Sequence, residues 1–180
     1  MARPLAIFLC CLSLLLFLGI PNARCQGQIS PLEFLKAQEL RNRDAPGEVY
    51  LGNVMSLSYP PNAVAPAEKY YPFLLELTDV LKTPLRDNYR LVLKGYSDSS
   101  GSPEANMALS VKRARALSEL LVVTYYMKME RIVTEGCGSR DPVASNATAE
   151  GRALNRRVEI HVYGNVSEAV RFREKQEERQ

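Results

Sequence analysis

The alternation of short strand-like runs with two helical stripes most restricts what this 180-residue chain can fold into. Residues 67–82 place Tyr70, Leu74, Leu77 and Leu81 on one face, the spacing of a core-facing helix. Pro72 must sit in its first turns or kink it, and Thr83-Pro84 ends it. Tyr89 to Tyr96 (YRLVLKGY) reads as a strand, and Ser97 to Pro103 as a loop rich in turn formers. A longer helix is predicted from about Glu104 to Tyr126. It is followed by a strand over Arg131 to Glu135, a loop from Gly136 to Thr148, and a last strand over Arg156 to Tyr163 with VEIHV at its centre. Upstream, Glu48 to Tyr59 is strand-like, with Gly52-Asn53 suited to turn a hairpin, and Pro60-Pro61 stops it. The order β-α-β-α-β-β predicts an α/β sandwich of the α+β kind, two main helices packed on one face of a mixed sheet.

The ends of the chain differ from this middle. Residues 1–25 have the three-part layout of a secretory signal peptide: Arg3, an uncharged apolar run from Leu5 to Ile20, then Pro21 and small residues at Ala23 and Cys25. The run is shorter than the ~20 residues that span a bilayer. An uncleaved anchor and acylation of Cys25 are the competing readings, the latter opposed by the bulky charge of Arg24 beside it. Residues 26–47 form a linker with one short helix. In it Ser30 caps, Pro31 fits the first turn, Glu33 completes a capping box, and Ile29 and Phe34 are placed as a hydrophobic staple. That helix either packs on the domain or acts as a spacer. The domain is predicted over residues 48–164, and 165–180 reads as a charged C-terminal tail.

Composition removes several classes of function. The formal net charge is +3, and acids and bases are interspersed, which argues against a nucleic-acid partner. His161 is the single histidine, so a His-based metal site or a catalytic triad has almost no material to draw on, and no cofactor is expected. A nucleophile reading would rest on Cys137 with His161 as base. No third orienting group accompanies them, and a small apolar filler is the expected role for that cysteine. No catalytic residue, metal ligand or disulfide is assigned.

The informative residue is a charge in an apolar position. On the long helix Leu117, Leu120 and Thr124 define a face. At ~100° per residue Arg113 falls within ~20° of Leu120, so it starts toward the body of the domain, whereas Lys112 and Arg115 point elsewhere, to solvent. Asn106 lies a further seven residues back, with Ser110 beside it. An inward guanidinium must be paired or line a pocket. Asp98, in the loop before the helix, is the natural companion. The two either clasp a zwitterionic ligand, carboxylate to ammonium and guanidinium to carboxylate, or form a plain salt bridge that steadies the loop.

The segments GYSDSSGSPEANMALSVKRARALSELL (Gly95 to Leu121) and EGCGSRDPVASNATAEGRALNRRVEIHV (Glu135 to Val162) closely resemble the OmpA-like C-terminal domain. Several separated motifs occur in the family's order between about Val54 and Tyr163. The resemblance implies non-covalent binding of peptidoglycan through the diaminopimelate of its stem peptide. Asp98 and Arg113 fall on the positions that hold the ligand's ammonium and carboxylate. Asn106 matches a pocket asparagine, Asn62 is similar to another, and Ser97 keeps the hydroxyl of the usual threonine. Asn155 and Arg156 fall near the pocket rim or close a loop by hydrogen bonds, with Arg157 facing outward. Tyr96 stands where a histidine is usual and Cys137 where an aromatic residue is usual. The resemblance further implies an exported protein of a Gram-negative-type envelope, periplasmic or outer-membrane associated, with peptidoglycan and other envelope proteins as partners. A scaffold with a degenerate cleft is the alternative reading.

Overall fold

The computed structural model describes residues 33–35, 37–38, 47–81 and 89–164. The features expected of residues 1–32, of the Thr83-Pro84 stop and of the 165–180 tail lie outside the described residues. Four strands, β1 (Val49–Ser58), β2 (Tyr89–Gly95), β3 (Ile132–Gly136) and β4 (Arg157–Gly164), form one mixed sheet of order β1-β4-β2-β3. β4 is antiparallel to both β1 and β2, and β2 is parallel to β3. The helices are α1 (Tyr71–Leu81), α2 (Pro103–Val123) and α3 (Ala149–Asn155). α1 is entered through a 3-10 turn at Glu68–Tyr70, which leaves Pro72 in its first turn, where the missing N–H costs nothing.

Alternation along the strands sends Leu91 and Leu93 of β2 and Val158, Ile160 and Val162 of β4 to the helix side, where all are buried. Leu74, Leu77 and Leu81 of α1 and Ala114, Leu117 and Leu121 of α2 complete this core. The buried stripe of α2 is centred on Ala114, Leu117 and Leu121, with Leu120 half-buried against the core at its edge, so of the expected face only Thr124 departs. Thr124 is exposed and caps the helix, which stops before Tyr126, a residue at φ 56°.

Two further departures, and one question the sequence leaves open, have physical answers. Gly52-Asn53 turns no hairpin: β1 is one strand whose pairing with β4 slips twice, between Tyr50 and Gly52 and between Asn53 and Met55. At φ 129° Gly52 serves as an irregularity in the ladder, not a reversal. The segment before β4 contains α3, opened by the Thr148 hydroxyl accepting from the Gly151 N–H at 3.0 Å. Its seven residues are too few to show a hydrophobic period. The short N-terminal helix packs on the domain, because Leu35 is 1% exposed within the core and the Phe34 ring lies against Gly52. Leu35→Ala should accordingly cost about 2–4 kcal/mol, measured as a lowered urea midpoint. A shift under 0.5 kcal/mol would make the helix a spacer after all.

Candidate functional site

The buried stripe of α2 changes character along its length. Its C-terminal half is apolar apart from Ser118, whereas Asn106, Ser110 and Arg113 occupy the N-terminal half and are all buried. That half lies over the carboxyl ends of β2 and β3, where the sheet stops supplying apolar side chains. The helix comes very close there, since a Cβ at Gly95 would overlap the Ser110 carbonyl oxygen and one at Gly136 would strike the Val111 side chain. The Ser110 hydroxyl ties the two layers together, donating to Met107 O at 2.7 Å and accepting from the Gly138 N–H at 2.9 Å.

Beside this corner opens a cleft of about 730 Å³. Its walls are the Pro61-Asn62 turn, the Ser97 to Gly101 loop, the first turns of α2 and the α3 residues Ala149 and Arg152, with Arg156 just beyond. Six of the seven sequence-predicted residues border it: Asn62, Ser97, Asp98, Asn106, Arg113 and Arg156. Asn62 adopts φ 58°, a conformation asparagine tolerates.

Arg113 is wholly buried and donates to three backbone carbonyls: Nε to Ala63 at 2.8 Å, Nη1 to Tyr96 at 3.0 Å and Nη2 to Pro60 at 3.2 Å. Its guanidinium also lies 5.2 Å from the centre of the Tyr59 ring. Among the described residues no ion pair includes it, so its charge is solvated by dipoles but not cancelled. Burial lowers its pKa from the ordinary value, and the guanidinium remains cationic at any ordinary pH.

The plain Asp98–Arg113 salt bridge is not present. Asp98 pairs with Arg156, whose Nη1 donates to Oδ2 at 2.8 Å, while Oδ1 accepts from the Ser100 N–H at 2.9 Å. Burial by itself would raise the Asp98 carboxyl. The hydrogen bonds from Arg156 and Ser100 outweigh it and hold the group below the usual carboxylate range. Arg156 also donates from Nε to Tyr59 O at 3.1 Å, fixing the rim. The Ser97 hydroxyl is buried in the cleft wall with no hydrogen-bond partner among the described residues.

Asn155 is not brought to the cleft. Its side chain accepts from the N–H groups of Val143 and Ala144 and donates to Ala144 O and Asn146 Oδ1, closing the loop before α3. Asn146 in turn accepts from the Ser99 N–H at 3.1 Å, linking that loop to the Asp98 loop. Arg157 turns to the opposite face of the sheet without reaching solvent. It stacks 3.8 Å from the centre of the Tyr96 ring and pairs with Glu159 at 2.7 Å. Tyr96 thereby packs against a cation from the other face. His161 contacts Glu159 and Tyr50 through its two ring nitrogens, and Cys137 is buried at the end of β3.

Two cleft residues escaped the sequence reading. Lys112 is exposed, as its helical position required, yet its long side chain lines the cleft mouth. Arg152 lines it from α3, with Nη1 donating to Asn146 O and Ala147 O. Its place in the same late motif as Arg156 was the available signal.

A four-stranded mixed sheet with helices on one face and a charged cleft at the β2–α2 corner defines the class: an open α+β domain of β-α-β-α-β-β frame with one added short helix. The OmpA family profile matches residues 62–156, more than half of the chain, and the chain belongs to that family. It is 44% identical over 92 residues to the peptidoglycan-binding protein ArfA of Mycobacterium tuberculosis, a match covering 51% of this chain and 27% of ArfA. It is 50% identical over 66 residues to the probable lipoprotein YiaD of Escherichia coli, covering 37% of this chain and 30% of YiaD. The chain thus spans less than a third of the length of these two relatives. The solved structure of the cell wall anchor of the T6SS from Pseudomonas aeruginosa is similar at a TM-score of 0.53 and 28% identity, covering 77% of this chain and 100% of that one.

Proposed function

We propose that the cleft binds peptidoglycan non-covalently through the diaminopimelate of its stem peptide and so holds the protein to the wall of a Gram-negative-type envelope. The observation that carries this reading is Arg113: a fully buried cation, uncancelled by any carboxylate among the described residues, at the wall of a cleft that Asp98 borders from the adjoining loop. A guanidinium anchored by three carbonyls is preorganised to receive a carboxylate, and Asp98 is kept ionised to receive an ammonium. Ser97 supplies a free hydroxyl, and Asn106 and Asn62 add amide groups at the floor and rim. Family membership and the wall-binding relatives support the same reading. Asn155 and Arg156 act as positioning residues, one closing the α3 loop and the other orienting Asp98. No residue is assigned a catalytic role. The apolar N-terminal run and the envelope relatives favour an exported protein.

Asp98→Asn keeps the side chain's shape and its acceptor for the Ser100 N–H but removes the charge. It should lower retention on purified sacculi by at least ~30-fold. Unchanged retention would sink the clasp and leave protein contacts as the anchor. In the wild type, the depressed Asp98 pKa predicts retention that persists through pH ~5 and fades only below the ordinary carboxylate range. A loss already complete near pH ~6 would assign the grip to another group.

A further inference from the structure

The charges around the cleft do not balance. Asp98 is the one carboxylate among its described lining residues, against Lys112, Arg113, Arg152 and Arg156. The Asp98 pairing cancels Arg156, and the carbonyl partners of Arg113 and Arg152 carry no charge to cancel theirs. Three cations are left facing a head group that, as a zwitterion, brings no net charge. Lys112 and Arg152 line the cleft from α2 and α3, and both side chains keep solvent access, unlike that of Arg113. Resting on the proposed function above, we infer that Lys112 and Arg152 form an outer subsite for a second carboxylate of the stem peptide, so that the cleft selects free-acid stems over amidated ones. The carboxylate with the right chemistry is the α-carboxyl of the γ-linked glutamyl residue, next to diaminopimelate in the stem. Amidation replaces its charge with a neutral carboxamide that cannot engage either cation as an ion pair.

The test uses two soluble stem tetrapeptides that differ only at that group, one with the glutamyl carboxyl free and one with it amidated, titrated calorimetrically into the full chain. Wild type should bind the free acid about five- to tenfold more tightly, a preference that shrinks with added salt. Lys112→Gln should reduce the preference to about twofold or less while leaving the amidated peptide's affinity nearly unchanged, and Lys112→Arg should restore it. Because Lys112 is exposed, these variants do not disturb the core. Equal binding of the two peptides by wild type, or an undiminished preference in Lys112→Gln, would overturn the outer subsite and leave the diaminopimelate clasp standing. Failure of both peptides to bind would instead remove the proposed function, and the subsite with it.

Discussion

An Arg113→Ala protein should be less stable by about 2–4 kcal/mol and should also lose measurable affinity for stem peptides. The inward position of Arg113 suggests at first a purely functional charge whose removal spares the fold. The geometry says otherwise. Three carbonyls, on Pro60, Ala63 and Tyr96, accept from this one guanidinium and join the turn after β1 to the end of β2. Alanine would strand these acceptors and open a void beneath Tyr59. Each orphaned acceptor costs roughly 1–3 kcal/mol, discounted here because the cleft admits water to part of the gap. Urea denaturation followed by circular dichroism measures the first effect and calorimetry the second. Arg113→Lys separates them further: it keeps a charge but lacks the fork that reaches three oxygens, so binding should fall more than stability. A wild-type urea midpoint for Arg113→Ala would show that the carbonyl cage contributes nothing to the fold.

Gly95→Val should fail to yield a folded domain. The added side chain would begin inside the Ser110 carbonyl, which is helix backbone and cannot rotate away. Nor can α2 move as a body, because Ala114, Leu117 and Leu121 fix it to the core with no exposed surface. The expected cost exceeds ~4 kcal/mol, in the rare upper range for a single substitution. Gly101 provides the comparison. A Cβ there meets nothing within 4 Å, and only its φ of 89° opposes alanine, so Gly101→Ala should cost about 1 kcal/mol. Soluble expression and thermal melting of the pair decide the matter. A cooperative Gly95→Val melt near the wild-type temperature would refute the close approach.

Arg113 also shows where reading the sequence reaches its limit. The inward direction of Arg113 follows from helical period alone, because 100° per residue is a property of the backbone. Its partners do not follow, since Pro60 and Ala63 come from a turn some fifty positions earlier. For the same reason Asp98 looked like the partner of Arg113: the two are neighbours in sequence, while Arg156 reaches Asp98 only because β4 inserts beside β2. The frame of strands and helices was legible because its apolar periods are long. The false hairpin at Gly52-Asn53 arose because a glycine at positive φ serves a turn and a ladder irregularity equally well. Asn155 illustrates a further ambiguity, since an asparagine in a motif serves a ligand in one protein and a loop in another, and here its four hydrogen bonds all go to the loop.

The position of β4 has a consequence for how the molecule comes into being. Among the described residues the final strand in sequence order, β4, is an inner one, seated between β1 and β2. A nascent chain delivered amino end first can bring β2 and β3 together early, but β1 has no neighbour until residues 157–164 arrive. Closure is therefore a late, all-at-once event dominated by contacts distant in sequence. Any product truncated before Arg157 would lack the centre of its sheet, leaving β1 a detached ribbon and β2 with one bare edge open to foreign strands.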